Sequence, residues 1–304
     1  MLTEDKIIEI FCMADDFCKK FSQEIKKHQL QPKDGKKHRN RPCEMSDSEI
    51  MTILLLFHFG TFKNFKHYYL HYIGVHLKEE FPKQLSYNRF VAIEHRVFVQ
   101  MMFFLNMICF GKCTGITFID STKIAVCHNK RIRRNKVFKG IAKTGKSTMG
   151  WFYGFKLHLL CNDKGELLSF CLTPGNVDAR DPKTLKTLTQ KLFGKLFGDK
   201  GYISSSLFDT LFNNGVHLIT GMRSNMKNRL MSLYDKIMLR KRSVIETIND
   251  QLKNICEIEH SRHRAVHNFL MNLIAALTAY CFFDKKPAIK FDMALQTGQT
   301  ALFE

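Results

Sequence analysis

Three carboxylates stand in sequence contexts that suit phosphoryl-transfer chemistry. Asp120 and Asp199 each end an apolar run, whereas Glu246 lies on a segment with helical periodicity. A carboxylate embedded in apolar sequence is costly to desolvate unless protons, hydrogen bonds or a metal ion compensate its charge. In a chain with a net charge of +19, three such groups indicate a divalent metal and a polyanionic substrate.

Each acid also has a purely structural interpretation. Asp120 could be satisfied by neighbouring backbone and hydroxyl donors, and Asp199 begins an Asp-x-Gly sequence that is common in turns. Glu246 lies four residues after Arg242, a spacing that forms an exposed helical ion pair worth a few tenths of a kcal/mol. Asp250 is the nearest rival acid on that helix.

The helix that carries Glu246 has two distinct faces. Apolar side chains recur at helical spacing along one face: Val244, Ile245, Ile248, Leu252 and Ile255. Polar side chains cluster on the other: Arg242, Glu246, Asn249 and Lys253. The second face therefore combines a carboxylate with two cations.

The overall composition indicates a globular protein with an anionic partner. Hydrophobic residues make up 45% of the 304 residues, enough for one large or two ordinary domains with a sizeable core. Lys and Arg number 47 against 28 Asp and Glu, a balance that attracts nucleic acid or an anionic membrane surface. A basic protein without a polyanionic partner is the alternative.

The positive charge is concentrated between residues 121 and 162, where ten Lys or Arg occur without any Asp or Glu. We interpret this segment as a loop that binds DNA, rather than one that only aids solubility, and expect Phe138, Trp151 and Tyr153 to stack on exposed bases. A second basic stretch runs from residue 223 to 242. The expected DNA-binding cations of the first segment are Lys130, Arg131, Arg133, Arg134, Lys136, Lys139, Lys143 and Lys146.

Several other patterns favour ordinary structural roles. The ten cysteines follow no signal-peptide pattern and form no complete zinc set, so we expect free thiols in a reducing cytoplasm. The apolar segment 266–283 is expected to be a buried core helix rather than a membrane span. Lys156 and His158 are expected on the outward face of a hairpin, and Asp178 is expected to cap a helix.

The hydrophobic period divides the chain into two parts. Residues 1–110 are predicted to be helical, with an amphipathic helix over 7–21, a basic connector over 26–41, a capping box at Ser46–Glu49 and a long helix that begins at Ser86. From Gly115 onward, strands form a hairpin and then alternate with helices, which predicts a mixed sheet flanked by helices. The fold class is therefore mixed α/β. The expected divisions are an all-helical N-terminal domain (1–113), an α/β domain (114–285) and a tail (286–304).

Five motifs together resemble the DDE transposases of bacterial insertion sequences, most closely the insertion sequence 982 family. The motifs are Phe118–Thr122, Tyr153–His158, Thr173–Val177, Phe197–Tyr202 and Arg242–Glu246, the last continuing to Lys253. Related transposases carry a Y-(2)-R-(3)-E-(6)-K signature. Arg242, Glu246 and Lys253 fit it, whereas Leu239 stands at the tyrosine position.

This resemblance implies an RNase H-like catalytic domain in which Asp120, Asp199 and Glu246 are the catalytic acids and metal ligands. It implies Mg²⁺ or Mn²⁺ as cofactor, with two ions that activate water to cut an element end and then direct the freed 3′-OH into target DNA. Arg242 and Lys253 would hold phosphates. The implied partners are double-stranded DNA, as terminal inverted repeats and target, and a second copy of the chain, with no membrane; the N-terminal domain would recognise the repeats.

Two alternatives remain open at this point. The chain could be an inactive or domesticated relative that binds DNA without cutting it. It could also be a metal-dependent nuclease of the same fold that cleaves DNA without joining it.

Overall fold

The computed structural model describes residues 2–28, 43–60, 62–148, 150–226, 230–259 and 263–289. The first part of the chain is helical and comprises α1 (Glu4–His28), α2 (Asp47–Leu56), α3 (Phe65–His67), the π-helix Tyr68–His76, α4 (Tyr87–Ile93), the 3₁₀ turn Glu94–Val97, α5 (Phe98–Phe104) and the π turn Leu105–Cys109. The strands are β1 (Ile116–Cys127), β2 (Lys143–Ser147), β3 (Gly150–Asn162), β4 (Leu167–Pro174), β5 (Gly194–Gly198) and β6 (Val216–Thr220). The later helices are α6 (Pro182–Thr189), α7 (Ser205–Asn213), α8 (Leu233–Lys241), α9 (Ser243–Asn254) and α10 (Val266–Cys281).

The helix start signals in the sequence are confirmed. The side chain of Ser46 accepts a hydrogen bond from the Glu49 amide at 3.2 Å, and the Glu49 carboxylate accepts the Ser46 amide at 2.6 Å, which is the predicted capping box. Ser86 caps α4 as predicted, but the expected single helix is interrupted by the 3₁₀ turn and ends in a π turn. Helix α1 is longer than predicted because it continues to His28; the rest of the expected basic connector lies outside the described residues.

The six strands form one mixed sheet, in which five follow the order β2-β3-β1-β5-β6 and the sixth, β4, also pairs with β3. Strand β3 pairs antiparallel with β1 along one edge, while β2 and β4 occupy successive parts of its other edge. Strand β5 lies parallel to both β1 and β6. The predicted loop over the basic segment is wrong at β2, because residues 143–147 hydrogen-bond to β3 despite their two lysines and central glycine.

The two faces of the sheet carry different helices, as strand alternation requires. Phe118 and Phe197 point to the face whose core includes residues of α9 and α10 and of the N-terminal helices. Ile119 and Leu196 point to the opposite face and share a second core with α6 and α7. A helical N-terminal part followed by a mixed sheet between helices confirms the predicted α/β class.

Helix α10 packs against both parts of the chain. Its Phe269 ring lies 5.3 Å from the ring of Phe155 on β3, and Phe282 just after it lies 6.2 Å from Phe104 on α5. The Tyr280 hydroxyl donates to the Gly165 carbonyl at 2.8 Å. The predicted core helix is therefore confirmed.

One other helical stretch, Tyr87–Cys109, is long and apolar enough to cross a membrane by length and composition alone. Its buried side chains recur every third or fourth residue and belong to the core shared with α2 and α10: Phe90, Ile93, Val97, Met101 and Phe104.

Candidate active site

The parallel pairing of β1 and β5 brings two of the three candidate acids to the same level of the sheet. Thr117 pairs with Leu196 and Phe118 with Phe197, and the same offset sets Asp120 opposite Asp199 where the strands leave their pairing. The Phe118 and Phe197 rings stack with centroids 5.6 Å apart. Because side chains two residues apart share a face, Asp120 and Asp199 project next to each other beyond this aromatic pair.

Helix α9 covers this face and holds Asp120 through two side chains. The Asn249 amide donates to Asp120 Oδ2 at 2.9 Å, and Arg242 Nη1 lies 3.7 Å from Asp120 Oδ1. The other guanidinium nitrogen of Arg242 donates to Glu246 Oε1. Arg242 therefore bridges the half-buried Asp120 of β1 and Glu246 of α9, whose side chain is 55% exposed.

The electrostatics of Asp120 are dominated by its burial. Desolvation raises its pKa from 3.8 to about 6; Arg242 and the Ser121 backbone act in the opposite direction, and the charges of Asp199 and Glu246 raise the pKa further. Asp199 and Glu246 thus both lie within electrostatic range of Asp120.

Asp199 is fixed by the turn that follows β5. Its Oδ1 accepts the Gly201 amide at 2.9 Å and caps the 3₁₀ turn Lys200–Tyr202. A Cβ at position 201 would lie 2.9 Å from the same oxygen, so only glycine leaves the carboxylate in this position. Asp199 and Gly201 therefore form the turn and also fix the orientation of the candidate catalytic carboxylate.

The donor set fits a divalent cation in its chemistry. Carboxylate and amide oxygens are the ligands that Mg²⁺ prefers. Asn249 Oδ1 and Arg242 Nη1 are buried beside Asp120 without a hydrogen-bond partner in the described part of the chain, which leaves one further oxygen that could bind a cation and one unsatisfied guanidinium nitrogen at the site. As they stand, no three His, Cys, Asp or Glu side chains among the described residues form a ready-made metal-binding group.

The predicted cations of the basic segment all lie on the surface. Lys130, Arg131, Arg133 and Arg134 belong to a 3₁₀ helix (Asn129–Arg134), Lys136 and Lys139 lie in the turns after it, and Lys143 and Lys146 lie on β2. All eight are exposed, and none forms an ion pair within the described residues. In the second basic stretch, residues 227–229 lie outside the described ranges.

Of the three aromatic residues expected to stack on bases, only Trp151 is available. Its side chain is 63% exposed, whereas Phe138 and Tyr153 are buried. The Tyr153 hydroxyl donates to the Phe138 carbonyl at 3.2 Å, and Phe138 packs on Phe269. The prediction for these two is wrong because both side chains pack into the core that also contains Phe269 of α10.

Lys253 is held by an acid that the sequence analysis did not single out. Its Nζ lies 3.4 Å from Glu259 Oε2, and Glu259 Oε1 accepts the Ala125 amide at 3.2 Å, next to an irregularity in the β1–β3 pairing. Glu259 has no periodic signal in the sequence because it follows the end of α9. Asn249, by contrast, shares the polar helical face with Glu246 and was detectable there.

Two expectations about β3 and the following turn are corrected. His158 is fully buried rather than outward-facing, with Nε2 2.9 Å from Thr173 Oγ1, and burial lowers its pKa to about 4. Lys156 donates to the Val177 carbonyl at 2.6 Å. Asp178 does not cap α6; it binds the Arg180 guanidinium, and the cap is Asp181, whose carboxylate accepts the Thr184 amide.

Comparison with known proteins gives one family match. A family model described as a transposase DDE domain matches residues 110–266. No curated protein matches the chain.

Two solved structures are similar over most of the chain. The cryo-EM structure of the piggyBac transposase synaptic complex with hairpin DNA has 10% sequence identity and a TM-score of 0.46, covering 92% of this chain and 72% of that one. The crystal structure of the Mos1 strand transfer complex has 14% identity and a TM-score of 0.23, covering 91% and 88%. Both scores are below 0.5, so the family assignment rests on the family model.

Proposed function

The chain belongs to the transposases with a DDE domain, and from this premise we propose that it cuts the ends of an insertion sequence and joins them to target DNA. In this proposal the sheet and its helices form an RNase H-like domain, and the element belongs to the insertion sequence 982 family. The chemistry is metal-dependent hydrolysis that frees a 3′-OH, followed by attack of that 3′-OH on target DNA.

One observation supports the proposal: the β1–β5 register, continued two residues beyond its last pair, sets Asp120 opposite Asp199, and Arg242 links Asp120 to Glu246 on α9. Side chains far apart in sequence thus approach one half-buried carboxylate. A protein that only binds DNA gains nothing from a buried acid near phosphates, because it would repel them.

Asp120, Asp199 and Glu246 would together hold two metal ions, either Mg²⁺ or Mn²⁺. When bound, such ions stabilise the attacking and leaving oxygens of an in-line displacement. Asn249 keeps Asp120 oriented through its amide, and Arg242 holds Glu246 through Nη2 while its Nη1 lies beside Asp120.

The eight exposed cations of the basic segment would bind the DNA backbone without reading sequence. Arg242 and Lys253 would reach a phosphate only by breaking their ion pairs with carboxylates, so their contribution to DNA binding should be smaller.

We assign recognition of the terminal inverted repeats to residues 1–113, catalysis to 114–285 and no catalytic role to the tail from 286. Because two element ends must be joined, the active form on DNA would be a homodimer.

The test is cleavage of a duplex that carries the element end and its flanking DNA, in the presence of Mg²⁺. We expect Asp120→Asn, Asp199→Asn and Glu246→Gln each to lower cleavage by at least about 100-fold while DNA binding persists. Asp250→Asn, which removes an exposed acid from the same helix, should cleave normally.

The alternatives give different results in the same assay. Binding without cleavage by the unaltered protein indicates an inactive DNA-binding relative, and cleavage without strand transfer indicates a nuclease. Normal cleavage by Asp199→Asn would refute the assigned site.

A further inference from the structure

A cationic cleft lies beside the turn that holds Asp199. It has a volume of about 530 Å³, and Gly201 of that turn forms part of its wall. Its lining also includes Lys146 and Trp151 of the β2–β3 hairpin, Arg223, and the ion-paired Asp178 and Arg180. We refer to it as the Trp151 cleft.

Trp151 is the only tryptophan of the chain, and most of its indole is exposed at the mouth of the cleft. Its position is fixed, because Lys146 and Trp151 are paired across the hairpin and the Asn129 side-chain amide donates to the Trp151 carbonyl at 2.8 Å. Lys146 Nζ lies 6.0 Å from the ring centroid. A large apolar surface is thus held open to solvent next to positive charge.

The cleft has a rigid floor and cations at its rim. A Cβ at Gly145 would lie 2.0 Å from the Gly175 carbonyl oxygen, so the hairpin and the turn after β4 are in direct backbone contact. Arg223 donates to the Lys200 carbonyl at 3.2 Å, which fixes one cation beside the turn of Asp199 while leaving its other donors available. A ligand in the cleft would therefore meet an aromatic face, a lysine and an arginine.

We propose that the Trp151 cleft binds one unpaired nucleotide next to the cleavage site, with its base stacked on the indole and its phosphate on Lys146 and Arg223. Paired bases present only their edges in the grooves, so an indole can stack on a base only after that base has left the helix. The cleft volume lies in the usual range for small-ligand sites, roughly 300–1,000 Å³. The inference rests on the proposed function, since it names the part of the DNA substrate that this region binds.

The single tryptophan makes a direct test possible. The full-length Asp120→Asn protein is titrated with three short duplexes: one blunt, one with an unpaired overhang, and one with the same overhang made of abasic residues. Binding is followed by the anisotropy of a dye on the DNA. Stacking is followed by tryptophan fluorescence, excited where tyrosine does not absorb.

We expect the base-containing overhang to quench the fluorescence and to bind more tightly than the other two duplexes. Trp151→Ala should remove that preference, a loss of about 5- to 100-fold in affinity for the overhang duplex, and Trp151→Phe should retain most of it. Exposed Phe212, on α7 and outside the cleft, supplies the control: Phe212→Ala should change neither measurement.

Equal quenching by abasic and base-containing overhangs, or an unchanged preference in Trp151→Ala, would overturn the inference. Either result leaves the proposed cleavage chemistry intact, because cleavage by the unaltered protein is measured separately. Failure of all three duplexes to bind would overturn both.

Discussion

Replacing Asp120 by asparagine should make the protein more stable while it abolishes cleavage. The side chain is only 21% exposed, and burial raises its pKa from 3.8 to about 6. At about 1.4 kcal/mol per pKa unit, ionising this carboxyl in the folded protein costs about 3 kcal/mol. Asparagine has nearly the same shape and can still accept the hydrogen bond from Asn249.

The sign of the pH dependence follows from linkage. Because the folded protein holds the Asp120 proton more tightly than the unfolded chain, this group stabilises the fold below pH 3.8, and that stability is lost as the pH rises to about 6. Above that pH the folded protein bears the full free-energy cost of ionising Asp120. The advantage of Asp120→Asn should therefore be largest at neutral pH and nearly absent close to pH 3.8.

The assay is thermal unfolding in EDTA, so that bound metal does not stabilise one protein more than the other. For a chain of this size the expected gain at neutral pH is on the order of 5 °C in Tm. Asp250→Asn is the control, since this acid of α9 is exposed and accepts a hydrogen bond from Asn254, one turn later on the same helix. A Tm of Asp120→Asn equal to or below that of the unaltered protein at neutral pH contradicts the burial argument.

Three further results are expected. Burial alone raises the pKa of Glu94 from 4.5 to about 8, so the stability of the unaltered protein should fall as the pH rises between these values. Glu94→Gln should flatten the plot of Tm against pH in that range, and parallel plots for the two proteins contradict this. Gly201→Ala should lower cleavage at least about tenfold with little change in Tm, because the added methyl displaces Asp199 Oδ1; normal cleavage means that this oxygen needs no fixed position. Arg133→Gln should reduce the slope of log DNA affinity against log salt by about one, because an exposed cation that contacts phosphate is lost. Lys253→Met should leave that slope unchanged, because Lys253 is paired with Glu259; the same reduction in both variants shows instead that Lys253 binds phosphate.

The sequence predicted those features that depend on local pattern. The capping box at Ser46, the helix start at Ser86 and the core helix over 266–283 follow from cap residues and apolar runs, and the structure has them as predicted. The apolar stripe of α9 also follows from helical periodicity, and its residues Ile245 and Ile248 are fully buried.

What the sequence did not predict depends on contacts between distant segments. Strand β2 was missed because a lysine- and glycine-containing segment forms a strand only when β3 is beside it. His158 was expected on the surface because alternation along β3 does not reveal that this side chain is buried and bonded to Thr173 on the neighbouring strand β4. The β1–β5 offset, which sets Asp120 opposite Asp199, is likewise a tertiary property that no local pattern encodes.

Helix α10 has a consequence for synthesis. Its side chains complete the apolar core around α2 and α5, yet it follows them by more than half the chain. While a ribosome is still making the sheet, the apolar surface of α2 and α5 that α10 later covers is exposed to water. The core around these helices can therefore close only once α10 has emerged, after Asp120, Asp199 and Glu246 have already been made.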